Sequence, residues 1–153
     1  MLIRKGQKED LKAVFELIME LAVYEKAPEE VENSVERMLE DGFGERKVFD
    51  FFVAEIDKQI VGTAIYYFRY STWKGKALYL EDLVVSESFR GKGYGKALLD
   101  AIVLQAKKDN CKQVRWQVLD WNEPAIQFYK SIGADLDPEW INCTLNENQI
   151  KNY

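Results

Sequence analysis

The stretch over residues 79–104 constrains the fold most, because it joins a strand, a tight turn and a helix in one run. Residues 79–85 are apolar and partly β-branched, interrupted only by Glu81 and Asp82, which predicts a buried strand. Glycines follow within residues 90–96, and apolar residues then recur at helical spacing. The pattern therefore predicts a strand connected to an amphipathic helix by a glycine-rich turn.

The glycine-rich turn predicts a site for an anion. It reads Arg-Gly-Lys-Gly-Tyr-Gly-Lys over residues 90–96. Backbone N–H groups at the start of a helix can surround a phosphate, helped by the positive end of the helix dipole, and Arg90, Lys92 and Lys96 add mobile cations. The spacing matches neither the dinucleotide fingerprint nor the P-loop. We interpret the turn as a phosphate or pyrophosphate cradle, and a plain helix-opening turn is the alternative.

Histidine is absent from the 153 residues, and this absence excludes several mechanisms. No Ser-His or Cys-His nucleophile can form, so acid–base chemistry must fall to Glu, Asp, Tyr, Lys or water. Cys111 and Cys143 without histidine are too few ligands for a zinc cluster, and we expect no metal site. The net charge of −5 argues against nucleic acid as a partner and is compatible with a cationic substrate.

Length and hydropathy predict a single domain over residues 1–153. No segment approaches the roughly 18 apolar residues of a membrane span, so we expect no membrane partner. The first ten residues are too charged for a signal peptide, which predicts a cytoplasmic protein.

Periodicity predicts the remaining elements of a mixed α/β fold. The first predicted helix runs from Asp10 to about Lys26, and the second begins with Asn33 as N-cap and ends at Gly42. Pro124 and Gly133 frame a later helix. The predicted strands cover residues 2–4, 51–56, 60–70, 79–85, 114–118 and about 140–145.

The chain contains two motifs, Arg90-x-x-Gly93-x-Gly95 and Asn122-x-x-Ala125-x-x-x-Tyr129-x-x-x-Gly133. Together they resemble the motifs of the GCN5-related N-acetyltransferase superfamily. In that superfamily the first motif grips the pyrophosphate of coenzyme A. The resemblance implies a single-domain acetyltransferase fold, in which flanking helices cover a central, largely antiparallel twisted sheet with a V-shaped parallel opening.

Further segments are similar to the spermidine/spermine and thialysine acetyltransferase branch, over about residues 2–145. They include Leu-Glu-Asp-Gly-Phe-Gly at residues 39–44, Tyr-Leu-Glu-Asp at 79–82 and Trp-Asn-Glu-Pro at 121–124. The resemblance implies direct transfer of acetyl from acetyl-CoA to a primary amine of a small cationic substrate. Polyamine acetylation proper, peptide or protein acetylation, and a non-catalytic acyl-CoA sensor remain alternatives. The family resemblance also implies a homodimer.

The resemblance assigns acetyl-CoA to three parts of the chain. The backbone of the central strand would pair with the pantetheine arm like an added strand, and the turn and the later helix would hold the rest. The residues are Leu83, Val84, Val85, Arg90, Gly91, Lys92, Gly93, Tyr94, Gly95, Lys96, Asn122, Pro124 and Ala125.

Tyr129 and Glu81 are the predicted catalytic residues. By resemblance, Tyr129 protonates the departing thiolate and Glu81 acts as a base through ordered water. An alkylammonium with a pKa of about 10.4 is almost wholly protonated at neutral pH, so a base is useful. Glu81 lies among apolar strand residues, with a strand-end surface acid as the alternative. Glu81 and Asp82 should point to opposite faces unless a bulge intervenes.

Charge pattern favours a lysine-like or thialysine-like amine, with spermidine or a diamine as the alternative. Polyamine enzymes of the branch carry an acid before Trp-x-Gly, whereas here residues 70–75 hold none and Lys74 adds a positive charge. Arg115 could hold an α-carboxylate through two parallel hydrogen bonds, or could be a solvated strand-face charge. With Glu81, the predicted substrate-binding residues are Tyr24, Glu25, Trp73, Asp82, Arg115 and Gln117.

Overall fold

A computed structural model describes residues 1–153 as two compact units, Met1–Gln117 and Val118–Tyr153. The first unit contains the sheet and three helices, and the second contains two short helices. That the whole chain forms one acetyltransferase domain stays a prediction.

The first unit is built on one five-stranded sheet in the order β1-β2-β3-β4-β5. Every neighbouring pair is antiparallel except β4 and β5, which are parallel. This confirms the mixed α/β class and the largely antiparallel sheet. The elements are β1 (Leu2–Lys5), α1 (Leu11–Tyr24), α2 (Val35–Phe43), β2 (Asp50–Ile56), β3 (Gln59–Ser71), β4 (Gly75–Val85), α3 (Tyr94–Lys108) and β5 (Gln113–Arg115).

Helices cover the sheet with the apolar faces that their periodicity predicts. Leu11 and Val14 of α1 and Met38 of α2 form one buried cluster with side chains of β2 and β3. On α3, Leu98 and Ile102 are fully buried, four residues apart on one face. These two layers fix the position of β4, which carries the candidate site.

The sheet opens where β5 ends. Ala77, Leu78 and Tyr79 of β4 pair with Gln113–Arg115, but β4 continues to Val85. The predicted strand over residues 114–118 is therefore shorter than expected. Beyond Tyr79, the β5 side of β4 has no strand partner, which is the V-shaped parallel opening.

The start and end of α2 differ from the prediction. Ser34 is the N-cap, because its hydroxyl accepts the Arg37 N–H at 3.2 Å, whereas the Asn33 side chain accepts the N–H of Ser34. Gly42 lies inside the helix rather than at its end. A Cβ there would come within 2.7 Å of the Phe49 ring, so close packing explains this glycine.

The second unit contains α4 (Glu123–Ser131) and α5 (Glu147–Lys151). Pro124 in the first turn of α4 and Gly133 beyond its end confirm the predicted frame. The strand predicted over residues 140–145 is wrong, because this segment pairs with no other strand. The short α5 was not predicted, although Asn146 and Gln149 form a capping box that signals it.

Candidate active site

A β-bulge in β4 organises the candidate site. Ile65 pairs with Asp82, and the next residue of β3, Tyr66, pairs with Leu80, so Glu81 is an extra residue in the ladder. The bulge suspends the usual alternation of side chains. Glu81 and Asp82 consequently line the same cavity rather than opposite faces of the sheet.

This cavity, with a volume of about 440 Å³, is lined by residues of α1, α2, β3, β4 and the segments before α2 and β2. Three carboxylates line it, from Asp41, Glu81 and Asp82, and no basic side chain does. Apolar and aromatic groups such as Met38 and Phe49 complete the wall. The cavity is therefore suited to a small cation with an alkyl part.

Asp82 has the electrostatics of a base that works near neutral pH. Burial raises its pKa to about 6, and the like charges of Glu81 and Glu25 add to the effect. Burial also raises the pKa of Glu25, which caps the C-terminal end of α1. A carboxylate with a pKa close to the working pH can accept a proton and release it again.

Glu81 is exposed, so the expectation that it lies among apolar neighbours is wrong. The bulge turns it toward solvent, and Asp82 is the more buried of the two. The Tyr67 hydroxyl donates a hydrogen bond of 3.1 Å to Glu81 Oε2. Burial and this carboxylate raise the pKa of Tyr67 to about 12, so its hydroxyl remains a donor. Glu81 as the catalytic base stays a prediction.

The glycine turn has the geometry of an anion cradle. Gly91 and Gly93 have φ of +73° and +84°, the left-handed region that glycine favours, and Gly93 is the N-cap of α3. A Cβ at either position would meet no atom within 4 Å, so the turn is open to solvent. Tyr94 and Gly95 begin the helix behind it. Backbone N–H groups at the start of a helix can bind a phosphate, and a pyrophosphate site at this turn stays a prediction.

The three cations of the turn each have a hydrogen-bond partner in the structure. Arg90 Nε donates to the Val85 carbonyl at 3.0 Å, and the Lys92 ammonium donates to the Ser88 carbonyl at 3.1 Å. Lys96 pairs with Asp100 at 2.8 Å, one helical turn away. Each side chain has a partner close in sequence, and Arg90 also lies 3.7 Å from the Glu20 carboxylate of α1. That the backbone amides supply most of the grip on an anion stays a prediction.

The free edge of β4 adjoins this turn. Leu83, Val84 and Val85 pair with β3 on one side and with no strand on the other. An extended chain with amide groups can bind such an edge as an added strand. The Val85 carbonyl already accepts from Arg90, so it is less available than the other edge groups.

Residues predicted to bind the amine are only partly brought together. Of these, Glu81 and Asp82 line the cavity, and Glu25 is close enough to raise the pKa of Asp82. Trp73 is 88% exposed in the β3–β4 turn and forms no wall of the cavity. The others also lie outside the lining; they are Tyr24, Arg115 and Gln117.

Asn122 and Tyr129 belong to α4. The Asn122 side chain accepts the Ala125 N–H at 3.4 Å and so caps the helix, with Pro124 in its first turn. Tyr129, near the other end of α4, is 8% exposed. Their roles toward cofactor and thiolate stay predictions.

Sequence reasoning missed three residues of the site region. Tyr67 and Asp41 line the cavity, and Arg69 lies with its guanidinium carbon 5.3 Å from the centre of the Tyr79 ring. Alternation along β3 from Ile65 to Tyr67 to Arg69 was the available signal.

No group of three or more acidic, histidine or cysteine side chains is arranged to hold a metal ion. No helix has the length and apolar character of a membrane span.

Comparison with protein families finds a match over residues 11–134 to the model of the acetyltransferase (GNAT) family. The chain is 41% identical to a thialysine N-epsilon-acetyltransferase of Bos taurus, covering 87% of this chain and 83% of the relative. It is 36% identical to the spermidine/spermine N(1)-acetyltransferase-like protein 1 of Homo sapiens, covering 97% of this chain and 23% of that protein.

Among solved structures, an integron cassette protein from the mobile metagenome of V. cholerae is similar to this chain, with a TM-score of 0.79. The two are 27% identical, and the match covers 99% of this chain and 95% of the other. The arrangement of sheet and helices is thus shared with a protein of known structure.

Proposed function

The chain belongs to the acetyltransferase (GNAT) family, and on that premise we propose that it acetylates the side-chain amine of a lysine-like or thialysine-like amino acid. It is an N-acetyltransferase that acts on a small amine. The observation that supports a cationic amine is the cavity of about 440 Å³ with three carboxylates and no cation in its wall. The similarity to a thialysine N-epsilon-acetyltransferase supports the amino-acid part of the proposal. A protonated alkylamine is complementary to such a wall in both charge and size.

We assign acetyl-CoA to the turn over residues 90–96 and to the free edge of β4, with Asn122, Pro124 and Ala125 as further contacts by family resemblance. The cofactor supplies an acetyl group activated as a thioester. The chain's contribution would be positional: amides of the turn would bind the pyrophosphate, and the free edge of β4 would hold the pantetheine arm.

The amine must lose a proton before it can attack the thioester carbon. Selecting the free base unaided at neutral pH costs about 4.6 kcal/mol for a pKa of about 10.4. Glu81 is the proposed base, acting through water, and Asp82 is the second candidate in the same cavity. Attack is direct, because the chain has no histidine to activate a cysteine as an acyl carrier. Tyr129 would then protonate the departing thiolate.

Polyamine acetylation is the second candidate, supported by the similarity to the spermidine/spermine relative. A polyamine carries cations along its length and requires acids spaced to meet them. The β3–β4 turn offers none, because it contains Thr72, Trp73 and Lys74. A peptide substrate would need a longer groove than the cavity described here. An acyl-CoA sensor would bind the cofactor and release no free coenzyme A in the presence of amines.

The test is kcat/KM for thialysine, lysine, spermidine and a short diamine. We expect the two amino acids to be preferred, and Arg115→Ala to weaken them selectively by about 1.5–3 kcal/mol, the scale of a hydrogen bond to a charged group. A preference of the wild type for spermidine, or an equal loss for all four amines, would contradict the proposal.

We also propose a homodimer, from the family resemblance alone, and a cytoplasmic location, from the charged first residues of the chain. Light scattering at the concentration of the assay should give twice the mass of the chain. A monomer at that concentration would end the dimer proposal without affecting the assignment of the substrate.

A further inference from the structure

Two arginines lie beside the ring of Tyr79, one on each neighbouring strand. The guanidinium carbon of Arg69, in β3, is 5.3 Å from the centre of the ring. Arg115, in β5, is the register partner of Tyr79 across the parallel pair. Both arginine side chains are exposed, so a ligand can reach them.

Both arginines lie on the face of the sheet that carries the acid-lined cavity. Ile65 and Tyr67 line that cavity, and Arg69 is the next residue of β3 on the same face. The rings of Tyr67 and Tyr79 are 5.3 Å apart across the β3–β4 pair, which places Tyr79 on this face as well. Arg115, opposite Tyr79 in register, shares it. The face therefore runs from carboxylates, through two tyrosines, to two guanidinium groups.

Neither arginine forms an ion pair. Two like charges near one aromatic ring repel each other, and an anion between them would relieve the repulsion. Arginine suits this task, because its planar fork can hold a carboxylate through two parallel hydrogen bonds.

We infer that Arg69 and Arg115 together hold the α-carboxylate of the amino-acid substrate between them, beside Tyr79, which makes Arg69 a specificity-determining residue. The inference rests on the proposed function. Glu81 and Tyr79 are two residues apart, roughly 7 Å along a strand. The extended side chain of lysine spans about 6 Å from Cα to its nitrogen, for five bonds of roughly 1.5 Å in a zigzag. When the side-chain amine of the substrate lies at the carboxylates of the cavity, its α-carboxylate can therefore reach the two arginines.

The test compares each amino acid with its decarboxylated form, lysine with cadaverine and thialysine with bis(2-aminoethyl) sulfide. The enzymes are the wild type, Arg69→Met, which keeps an unbranched side chain, and Arg69→Lys, which keeps the charge but loses the fork. Lys108→Gln is the control for loss of one positive charge, because Lys108 is in the last turn of α3, outside both sites. Thermal unfolding checks that all variants are folded.

We expect Arg69→Met to lower kcat/KM for the amino acids at least tenfold, with no loss for the decarboxylated amines. Arg69→Lys should lie between this variant and the wild type, and the KM for acetyl-CoA should not change. Equal loss for both members of a pair would overturn the inference, as would a rise confined to the KM for acetyl-CoA. If the wild type acetylates the diamines but neither amino acid, the inference fails and amine acetylation stands. If it acetylates none of the four, the proposed function fails with it.

Discussion

The cofactor turn and the amine cavity are constructed in different ways. In the turn over residues 90–96, two left-handed glycines open the backbone, and each cationic side chain has a partner within five residues, although Arg90 also approaches Glu20 of α1. In the cavity, the chemistry belongs to side chains that a bulge in β4 brings to one face. Local sequence thus determines the turn, whereas pairing between distant segments determines the cavity.

Because the turn and the cavity are built differently, substitutions in them should affect different quantities. A change in the turn should alter the affinity for acetyl-CoA and leave the chemistry of the amine untouched. A change in the cavity should alter turnover and leave cofactor binding untouched. A variant that changes both equally would break the distinction.

The largest effect should come from the cavity. Glu81→Gln should lower kcat by about 10²–10⁴-fold, the usual contribution of a general base. The Kd for acetyl-CoA, measured by calorimetry, should stay at the wild-type value. Glu139→Gln removes an exposed carboxylate elsewhere and should change neither quantity. If Glu81→Gln turns over normally while Asp82→Asn does not, Asp82 is the base.

Tyr129→Phe should lower kcat by about 10²-fold, because it removes the proposed proton donor to the thiolate and keeps the ring. The KM for acetyl-CoA should change little. Steady-state kinetics with acetyl-CoA as the varied substrate provide the measurement. A comparable loss in binding and turnover would make Tyr129 a packing residue, in keeping with its burial.

Gly93→Val should weaken acetyl-CoA binding at least tenfold. A β-branched residue resists the φ of +84°, and its side chain would occupy the space where phosphate must approach. Gly133→Val is the matched control, since Gly133 has φ of +81° and the same open surroundings but lies outside the turn. Both variants should lose stability, and calorimetry should show weaker binding only for Gly93→Val. An unchanged affinity of Gly93→Val for acetyl-CoA would contradict the assignment of the turn as the pyrophosphate site.

The smallest effect concerns stability and pH. The pKa of Asp82 is raised from 3.8 to about 6 in the folded state, so between these values the folded chain holds a proton that the unfolded chain has lost. Asp82 therefore costs stability as pH rises through this window, and the cost is complete above about pH 6. Asp82→Asn should unfold at higher denaturant than the wild type at pH 7, by on the order of 1 kcal/mol, and the gap should close toward pH 4. A gap independent of pH would contradict this account.

How far the sequence predicts the molecule depends on the range of the interactions involved. The turn, α3 and the frame of α4 follow from glycine, proline and helical periodicity within a few residues, and the structure contains them. The bulge at Glu81 depends on the register between β3 and β4. From the sequence alone, we could say only that Glu81 and Asp82 would share a face if a bulge were present. The contact of Tyr67 with Glu81 and the position of Arg69 follow from the same register. The mistaken strand over residues 140–145 has strand-like composition, but composition does not supply a pairing partner.

The measurement that tests the central claim most directly is the identity and stoichiometry of the product. The enzyme is incubated with acetyl-CoA and thialysine, free coenzyme A is quantified, and tandem mass spectrometry locates the acetyl group. We predict one coenzyme A released for each amino acid modified, with the acetyl group on the side-chain nitrogen and the α-amine free. Acetylation of the α-amine, or release of coenzyme A without an acetylated amine, would contradict the account.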